Sequence, residues 1–237
     1  MTHRLAVLIS GSGTNLQAIM AAIDSGRLNA EIAVVLSNRA DAGGLSRARH
    51  AGIATEVLDH RQYDSREAFD QAMITALDHY QPGTVVLAGF MRILSPLFVR
   101  HYAGQLINIH PSLLPKYRGL QTHARALEAG DSQHGCSIHF VTEELDGGPL
   151  IAQAPLDVLA NDTVDSLSKR VQQREHLLYP LVLQWRAEQR LELPMFIAMD
   201  RPKHTGQRKT VAPAFTPAEM TPSGSTPLGL LGSIRCS

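Results

Sequence analysis

An asparagine and a histidine stand two positions apart at the end of a short apolar segment. Residues 106–109 read LINI, with Asn108 inside this run and His110 directly after it. Alternate residues of a strand lie on the same face, so the spacing predicts that both side chains point the same way. Pro111 cannot continue a hydrogen-bonded ladder, so the strand should end there. An amide donor beside an imidazole suits stabilisation of an oxyanion, and the alternative is that both side chains only bind loop backbone.

A glycine-rich segment follows the first apolar run of the chain. Residues 11–15 read GSGTN and precede a helical pattern. Free backbone N–H groups and the helix dipole make such a turn a phosphate site. A dinucleotide fingerprint would need glycine where Leu16 stands and an acid after the second strand, where the sequence reads SNR. The segment therefore indicates a mononucleotide or sugar phosphate, or else a plain tight turn with Ser12 or Thr14 as the N-cap.

Asp146 lies in a segment that has the composition of a tight turn. Residues 144–149 read ELDGGP, and the two glycines allow the backbone to approach a ligand closely. Asp-Gly is also a strong signal for a solvated hairpin turn. The local sequence therefore leaves both interpretations of Asp146 open.

Short apolar runs alternate with helical patterns in the first half of the chain. Strands are predicted at residues 5–9, 32–36, 55–58, 84–88 and 106–109, with helices from about residue 16 and over 42–51 and 65–80. Strands that are apolar throughout indicate a parallel sheet covered by helices on both faces. The predicted fold class is α/β, with a doubly wound, mostly parallel, Rossmann-like sheet.

The pattern changes after residue 135. Residues 136–141 and 150–158 predict an antiparallel strand pair. A long helix over about 163–190 should follow, and Pro180 should kink or split it. The last residues are rich in Pro, Thr, Ser and Gly without a period, so we expect a domain over 1–199 and a poorly ordered tail over 200–237.

Composition excludes several functional classes. The 237 residues carry 22 Lys plus Arg and 22 Asp plus Glu, so a nucleic-acid partner held by bulk electrostatics is not expected. No apolar run is long enough for a membrane span, and the first residues do not read as a signal peptide. Two cysteines fit a reducing compartment, so we expect a cytoplasmic protein. The histidines lack the spacing of metal ligands, so no metal is expected.

Five segments together carry a family resemblance. They are GSGTN at 11–15, VVLAGFMRIL at 85–94, LINIHPSLLP at 106–115, HFVTEELDGGPLIAQ at 139–153 and VQQREHLLYP at 171–180. In this order and spacing they strongly resemble the glycinamide ribonucleotide formyltransferases, folate-dependent enzymes of purine synthesis. The resemblance runs from about residue 5 to about residue 193. It departs at Arg118, where the usual HPSLLPKYPG of the family has proline.

The resemblance implies a role for each matching residue. The catalytic residues would be Asn108, His110 and Asp146. Glycinamide ribonucleotide would be bound by Gly13, Thr14, Asn15, Gln172 and Glu175. The folate would be bound by Arg66, Met91, Arg92, Ile93, Leu94, Asn108, Thr142, Glu143, Glu144, Leu145 and Asp146. The implied co-substrate is 10-formyltetrahydrofolate, the partners are small molecules, and a monomer or weak homodimer is expected. Without the resemblance, Met91, Ile93 and Leu94 would be interpreted as core residues.

Related and unrelated classes of protein remain as alternatives. Methionyl-tRNA formyltransferase also has an Arg-Gly pair like Arg118-Gly119, but it needs a folded C-terminal domain and a basic surface. Formyltetrahydrofolate hydrolase would carry an N-terminal regulatory domain. A Rossmann-type oxidoreductase is disfavoured by the missing glycine and acid, and a non-catalytic nucleotide-binding module is disfavoured by the set of Asn, His and Asp.

Overall fold

The computed structural model describes residues 2–191 and the backbone of Arg235–Cys236. Within them, one mixed sheet has the strand order β3-β2-β1-β4-β5-β6-β7-β8. The strands are β1 His3–Ile9, β2 Ala30–Ser37, β3 Thr55–Val57, β4 Thr84–Leu87, β5 Leu106–His110, β6 Gln133–Phe140, β7 Leu150–Asp157 and β8 Arg235–Cys236. Neighbours from β3 to β5 pair in parallel, whereas neighbours from β5 to β8 pair antiparallel.

Helices connect the strands and cover both faces of the sheet. They are α1 Thr14–Asp24, α2 Gly43–His50, α3 Arg66–Asp78, α4 Pro96–His101, α5 Thr122–Glu128 and α6 Val164–Ala187, with a 3₁₀ turn at His60–Gln62. The α/β class, the doubly wound sheet and the antiparallel strands after β5 are confirmed. None of the helices in the described residues is both long and apolar enough to cross a membrane.

Strand β1 shows how the alternation of side chains divides the core. Leu5 and Val7 belong to a cluster that includes residues of α1, α2 and α6. Ala6 and Leu8 belong to a second cluster with residues of α3 and α4 on the other face. These β1 side chains have no exposed surface. The central strand is therefore apolar on both faces, as expected for a covered parallel sheet.

The long helix α6 is fixed at its start and at its middle. Thr163 and Ser166 form a reciprocal capping box. The buried hydroxyl of Tyr179 lies 3.1 Å from the carbonyl oxygen of Leu87 and 2.9 Å from that of Ile107, at β4 and β5. Of the two expectations for Pro180, a split was wrong because α6 is one element, and a kink stays a prediction. A buried proline removes one N–H, while the packed neighbouring turns hold the helix together.

Two short helices, α4 and α5, were not predicted. They have 6 and 7 residues, too few to show a clear period. Ser95 caps α4, and Pro96 occupies its first turn, which is a local start signal. The predicted boundary at 199 and the tail over 200–237 lie outside the described residues, except that the backbone of Arg235–Cys236 pairs with β7.

Candidate active site

Strand β5 brings Asn108 and His110 to its end, as predicted. Ile107 and Ile109 face the α6 side of the sheet, where they are part of the core. Asn108 and His110 alternate with them and lie on the opposite face. His110 is the last residue of the strand and is only 6% exposed. An amide and an imidazole thus share one face at the carboxyl edge of the parallel strands, where ligands bind in doubly wound folds.

Both ring nitrogens of His110 face an oxygen atom. Nε2 lies 2.9 Å from the carbonyl oxygen of Tyr117, so Nε2 carries a hydrogen and donates it. Nδ1 lies 3.5 Å from Oδ2 of Asp146. This separation is within ion-pair distance, and the carboxylate lies on the Nδ1 side of the ring. The imidazole is therefore oriented from both sides.

Asp146 sits in a turn whose backbone requires special residues. Asp146 itself has φ 47°, a left-handed conformation that aspartate tolerates better than most residues. A Cβ on Gly148 would lie 1.8 Å from the carbonyl oxygen of Phe140, so only glycine fits there. The Gly119 N–H donates to Oδ2 of Asp146 at 2.9 Å. The hairpin-turn interpretation is thus incomplete, because this turn aims a nearly buried carboxylate, 9% exposed, at His110.

His139 is a site residue that the sequence interpretation missed. It lies on β6 directly opposite Asn108 and is 2% exposed. Nδ1 donates to the Phe140 carbonyl oxygen at 2.9 Å, so Nε2 accepts from the amide of Asn108 at 3.1 Å. Nε2 is also 3.7 Å from Oδ1 of Asp146. The antiparallel register of β5 and β6 would have revealed this contact, but sequence patterning does not give register.

Burial keeps the His139 ring neutral. Desolvation lowers the pKa of His139, and the nearby Asp146 carboxylate only partly opposes this. A neutral ring can accept a hydrogen bond from the Asn108 amide, whereas a charged ring could not. One N–H of Asn108 is thereby fixed, and the other remains available as a donor. This arrangement suits a group that must stabilise negative charge on an acyl oxygen.

The glycine-rich segment forms the turn between β1 and α1. Gly13, not Ser12 or Thr14, is the N-cap, and its φ is 72°. A Cβ on Gly13 would lie 2.6 Å from the Cα of Gly44 in α2, so this position needs glycine for space as well as for conformation. No side chain caps the helix. Its first N–H groups are consequently not taken by a cap, as an anion site requires.

Helix α6 carries two polar side chains to this turn. Gln172 donates to the hydroxyl of Thr14 at 3.0 Å, and Asn15 donates to Oε2 of Glu175 at 2.8 Å. Burial raises the pKa of Glu175, partly offset by the hydrogen bond from Asn15. Oδ1 of Asn15 is buried without a protein partner. The structure therefore brings together Thr14, Asn15, Gln172 and Glu175, which were assigned to one substrate only through the resemblance.

Apolar side chains are exposed on the loop after β4. Met91 and Ile93 are 69% and 60% exposed, so the alternative that they are core residues is wrong for these two. Leu94 does pack against the α3 side of the core. The N–H of Met91 donates to the Ser10 hydroxyl at 2.8 Å, which fixes the start of the loop. Apolar side chains that are exposed on a loop are typical of an interaction or ligand site.

The other predicted folate contacts lie on two further elements. Thr142, Glu143, Glu144, Leu145 and Asp146 form the loop after β6, where Glu143 pairs with Arg100 at 2.6 Å and Glu144 pairs with Arg118. Arg66 begins α3 and pairs with Glu67 on its own helix at 3.5 Å. No described contact joins Arg66 or the exposed Arg92 to the catalytic cluster. In the described residues, no three His, Cys, Asp or Glu side chains are grouped to hold a metal ion.

Fold and site together define an α/β enzyme equipped for transfer of an acyl-type group. A family model described as formyl transferase matches residues 3–183. The chain therefore belongs to the formyl transferase family.

Relatives and solved structures show how close this membership is. The chain is 58% identical over 189 residues to the phosphoribosylglycinamide formyltransferase of Escherichia coli, covering 80% of this chain and 89% of the relative. It is 46% identical to the protein of the same name from Haemophilus influenzae, covering 80% and 90%. The structure of the phosphoribosylglycinamide formyltransferase from Coxiella burnetii superposes with a TM-score of 0.78 at 54% identity, covering 80% of this chain and 89% of that one.

Proposed function

We propose that this chain transfers the formyl group of 10-formyltetrahydrofolate to the amine of glycinamide ribonucleotide. The products are formylglycinamide ribonucleotide and tetrahydrofolate, in the biosynthesis of purines. The observation that carries this proposal is the convergence of Asn108, His110, His139 and Asp146 at one edge of the sheet. The names of the relatives support the choice of donor and acceptor.

The turn between β1 and α1 is the proposed phosphate and ribose site. The N–H groups at the start of α1 and the positive end of its dipole favour a phosphate. Glu175 approaches the same turn from α6, and Oδ1 of Asn15 is unpaired there. A carboxylate and an amide oxygen can accept hydrogen bonds from the ribose or the glycinamide. The phosphate of the acceptor would therefore meet N–H donors, and its ribose or glycinamide would meet acceptor oxygens.

The exposed loop of residues 91–94 is the proposed wall of the folate site. The side chains of Met91 and Ile93 offer apolar surface to a flat heteroaromatic ring. The loop of Thr142 to Asp146 faces the catalytic cluster from the end of β6 and offers polar backbone groups. The donor would then lie with its formyl group near Asn108 and Asp146, between the two loops.

The donor supplies an electrophilic carbon whose oxygen gains negative charge when the acceptor amine attacks. A bond forms from the amine nitrogen to the formyl carbon, and the bond from that carbon to the folate nitrogen breaks. The free N–H of Asn108 would donate to the charged oxygen. His139 holds this amide in place, so little reorganisation is needed as the charge develops.

His110 and Asp146 would move the proton that balances the transfer. The amine loses a proton and the folate nitrogen gains one. In the structure, the carbonyl oxygen of Tyr117 accepts the hydrogen on Nε2. When the substrates are bound, a substrate oxygen would accept this hydrogen instead of the carbonyl. Asp146 would accept the amine proton, directly or through water, and pass it to Nδ1 of the ring. Nε2 would give its own proton to the departing folate nitrogen, so the transfer balances.

The test is the release of tetrahydrofolate, followed by absorbance. We expect release from 10-formyltetrahydrofolate to depend on glycinamide ribonucleotide. Water and charged methionyl-tRNA are the control acceptors, and they should give no comparable rate. Release with either control, together with none with glycinamide ribonucleotide, would move the assignment to another member of the family.

Cellular location and assembly belong to the same proposal. Small-molecule substrates and a buried free thiol at Cys136 fit a cytoplasmic enzyme. The residues proposed for catalysis and binding all come from one chain, so a monomer or weak homodimer suffices. Sedimentation of the active enzyme measures the assembly.

A further inference from the structure

Three consecutive residues before α5 contact the candidate catalytic groups and the loop beside them. The carbonyl oxygen of Tyr117 accepts from Nε2 of His110 at 2.9 Å. Arg118 forms an ion pair with Glu144 through Nη1 and Oε1. The N–H of Gly119 donates to Oδ2 of Asp146 at 2.9 Å. The position of this short segment therefore decides how His110 and Asp146 are oriented.

The segment adopts a backbone conformation that is unfavourable without support. Tyr117 has φ 58° and Gly119 has φ 77°, and the left-handed region is costly for tyrosine. The Tyr117 hydroxyl donates to Asp131 at 2.6 Å, and Arg125 donates to the carbonyl oxygen of Arg118 at 2.7 Å. These contacts hold one side of the segment to α5 and its following turn. On the side that faces the loop after β6, Arg118 is the residue of the segment whose side chain makes a described contact.

The partner of Arg118 is itself fixed by the turn that carries Asp146. A Cβ on Gly147 would lie 2.4 Å from the carboxyl carbon of Glu144, so this side chain lies directly over Gly147. The Gly147 N–H also donates to the carbonyl oxygen of Glu144 at 3.1 Å. On the far side of the loop, Glu143 pairs with Arg100 of α4. Arg118 thus reaches a carboxylate that is already tied to the Asp146 turn.

We propose that Arg118 is a positioning residue whose ion pair with Glu144 holds residues 117–119 against His110 and Asp146. The inference rests on the proposed function, because its expected effect is a change in the kcat of formyl transfer. The family pattern has proline at this position, and a proline ring restricts the backbone without any partner. In this chain the restriction comes from an ion pair between two loops.

A double-mutant cycle tests the pair. We expect Arg118→Ala to lower kcat about fivefold, the upper range for a half-exposed ion pair. Glu144→Ala should have a similar effect, and the double variant should be no worse than either single one. Arg118→Lys should keep most of the rate because it keeps the charge. Salt should lower kcat of the wild type and leave Arg118→Ala nearly unchanged.

Arg4→Ala is the matched control. Arg4 pairs with Glu31 between β1 and β2, and its side chain is 44% exposed compared with 40% for Arg118. It should leave kcat at the wild-type value. Equal kcat in Arg118→Ala and Arg4→Ala would overturn the proposal, and so would losses that add in the double variant. A wild type that is inactive with glycinamide ribonucleotide would instead contradict the proposed function.

Amide hydrogen exchange provides a readout that does not need turnover. The Gly119 N–H should exchange at least several times faster in Arg118→Ala than in the wild type, because its bond to Asp146 is loosened. Amides of β1 should be unchanged in both, and Arg4→Ala should leave Gly119 unchanged. Unaltered protection of Gly119 in Arg118→Ala would overturn the positioning role even if the wild type proved inactive.

Discussion

The two halves of the candidate site are built in different ways. The acceptor region, which comprises Gly13, Thr14, Asn15, Gln172 and Glu175, lies on the ends and faces of helices α1 and α6. The catalytic region, which comprises Asn108, His110, His139 and Asp146, joins two antiparallel strands and a turn. In the proposed acceptor region the uncapped backbone at the start of α1 offers N–H groups, and α6 adds the side chains of Gln172 and Glu175. In the catalytic region, side chains far apart in sequence orient each other, so single substitutions there should act on rate more than on binding.

Removal of the oxyanion donor should give the largest effect. Asn108→Ala deletes the amide that His139 orients, and one such donor is typically worth about 10²–10³ in kcat. The KM for glycinamide ribonucleotide should change little. Steady-state kinetics at varied concentrations of both substrates separates the two parameters. A rise in KM with kcat unchanged would show that Asn108 acts in binding, and it would contradict the distinction between the two regions.

Glu175→Ala should show the reverse pattern. It removes the buried acceptor of the Asn15 amide, and leaving such a donor unsatisfied costs about 1–3 kcal/mol, or roughly 5–150-fold in binding. The KM for glycinamide ribonucleotide should rise by this factor, with kcat within a few-fold of wild type. Asp165→Asn, an exposed acid in the first turn of the same helix, is the control and should change neither parameter. A fall in kcat alone would assign Glu175 to the chemistry.

His139→Ala should have a smaller effect of the same kind as Asn108→Ala. The Asn108 amide loses the acceptor that orients it, and a neutral hydrogen bond is worth about 0.5–1.5 kcal/mol, or roughly up to tenfold in kcat. The double variant with Asn108→Ala should be no slower than Asn108→Ala alone, since His139 acts through that amide. Independent, additive losses would show that His139 has its own contact with the substrate.

Acid should weaken the fold through His134, a buried residue of β6 that contacts His123. Burial lowers the pKa of His134 to about 4, and the nearby His123 adds to the shift. The unfolded state therefore binds this proton first, so stability is full above pH 6.5 and is lost as pH falls from about 6.5 to about 4. At pH 5.5 the loss should be about 1 kcal/mol. In urea titrations His134→Gln should lose less stability between pH 7 and pH 5.5 than the wild type does, and an identical loss would contradict this role.

Parts of the fold and of the site follow from local patterns in the sequence. Strands that are apolar throughout, such as β1 and β4, indicate a covered sheet whatever their partners are. The juxtaposition of Asn108 and His110 follows from the period of one strand, and the structure has it. The fixed turn at Gly13 follows from its place between β1 and α1, although the N-cap was assigned to the wrong residues.

The remaining site features depend on contacts that no local pattern encodes. Asp146 reaches His110 across 36 positions of sequence, and only the family resemblance joined them. His139 was missed because its contact with Asn108 needs the register of β5 and β6. The link from Gln172 and Glu175 to α1 needs the packing of α6 across the sheet. The roles of all these residues remain predictions.

The most direct test of the account is the kcat of His110→Ala with both substrates at saturation. The imidazole is proposed to donate the proton that completes the transfer, and such help is worth about 10²–10⁴ in rate. The account predicts a loss in that range, with folded structure retained by circular dichroism and KM values within a few-fold of wild type. A kcat near that of the wild type would contradict it.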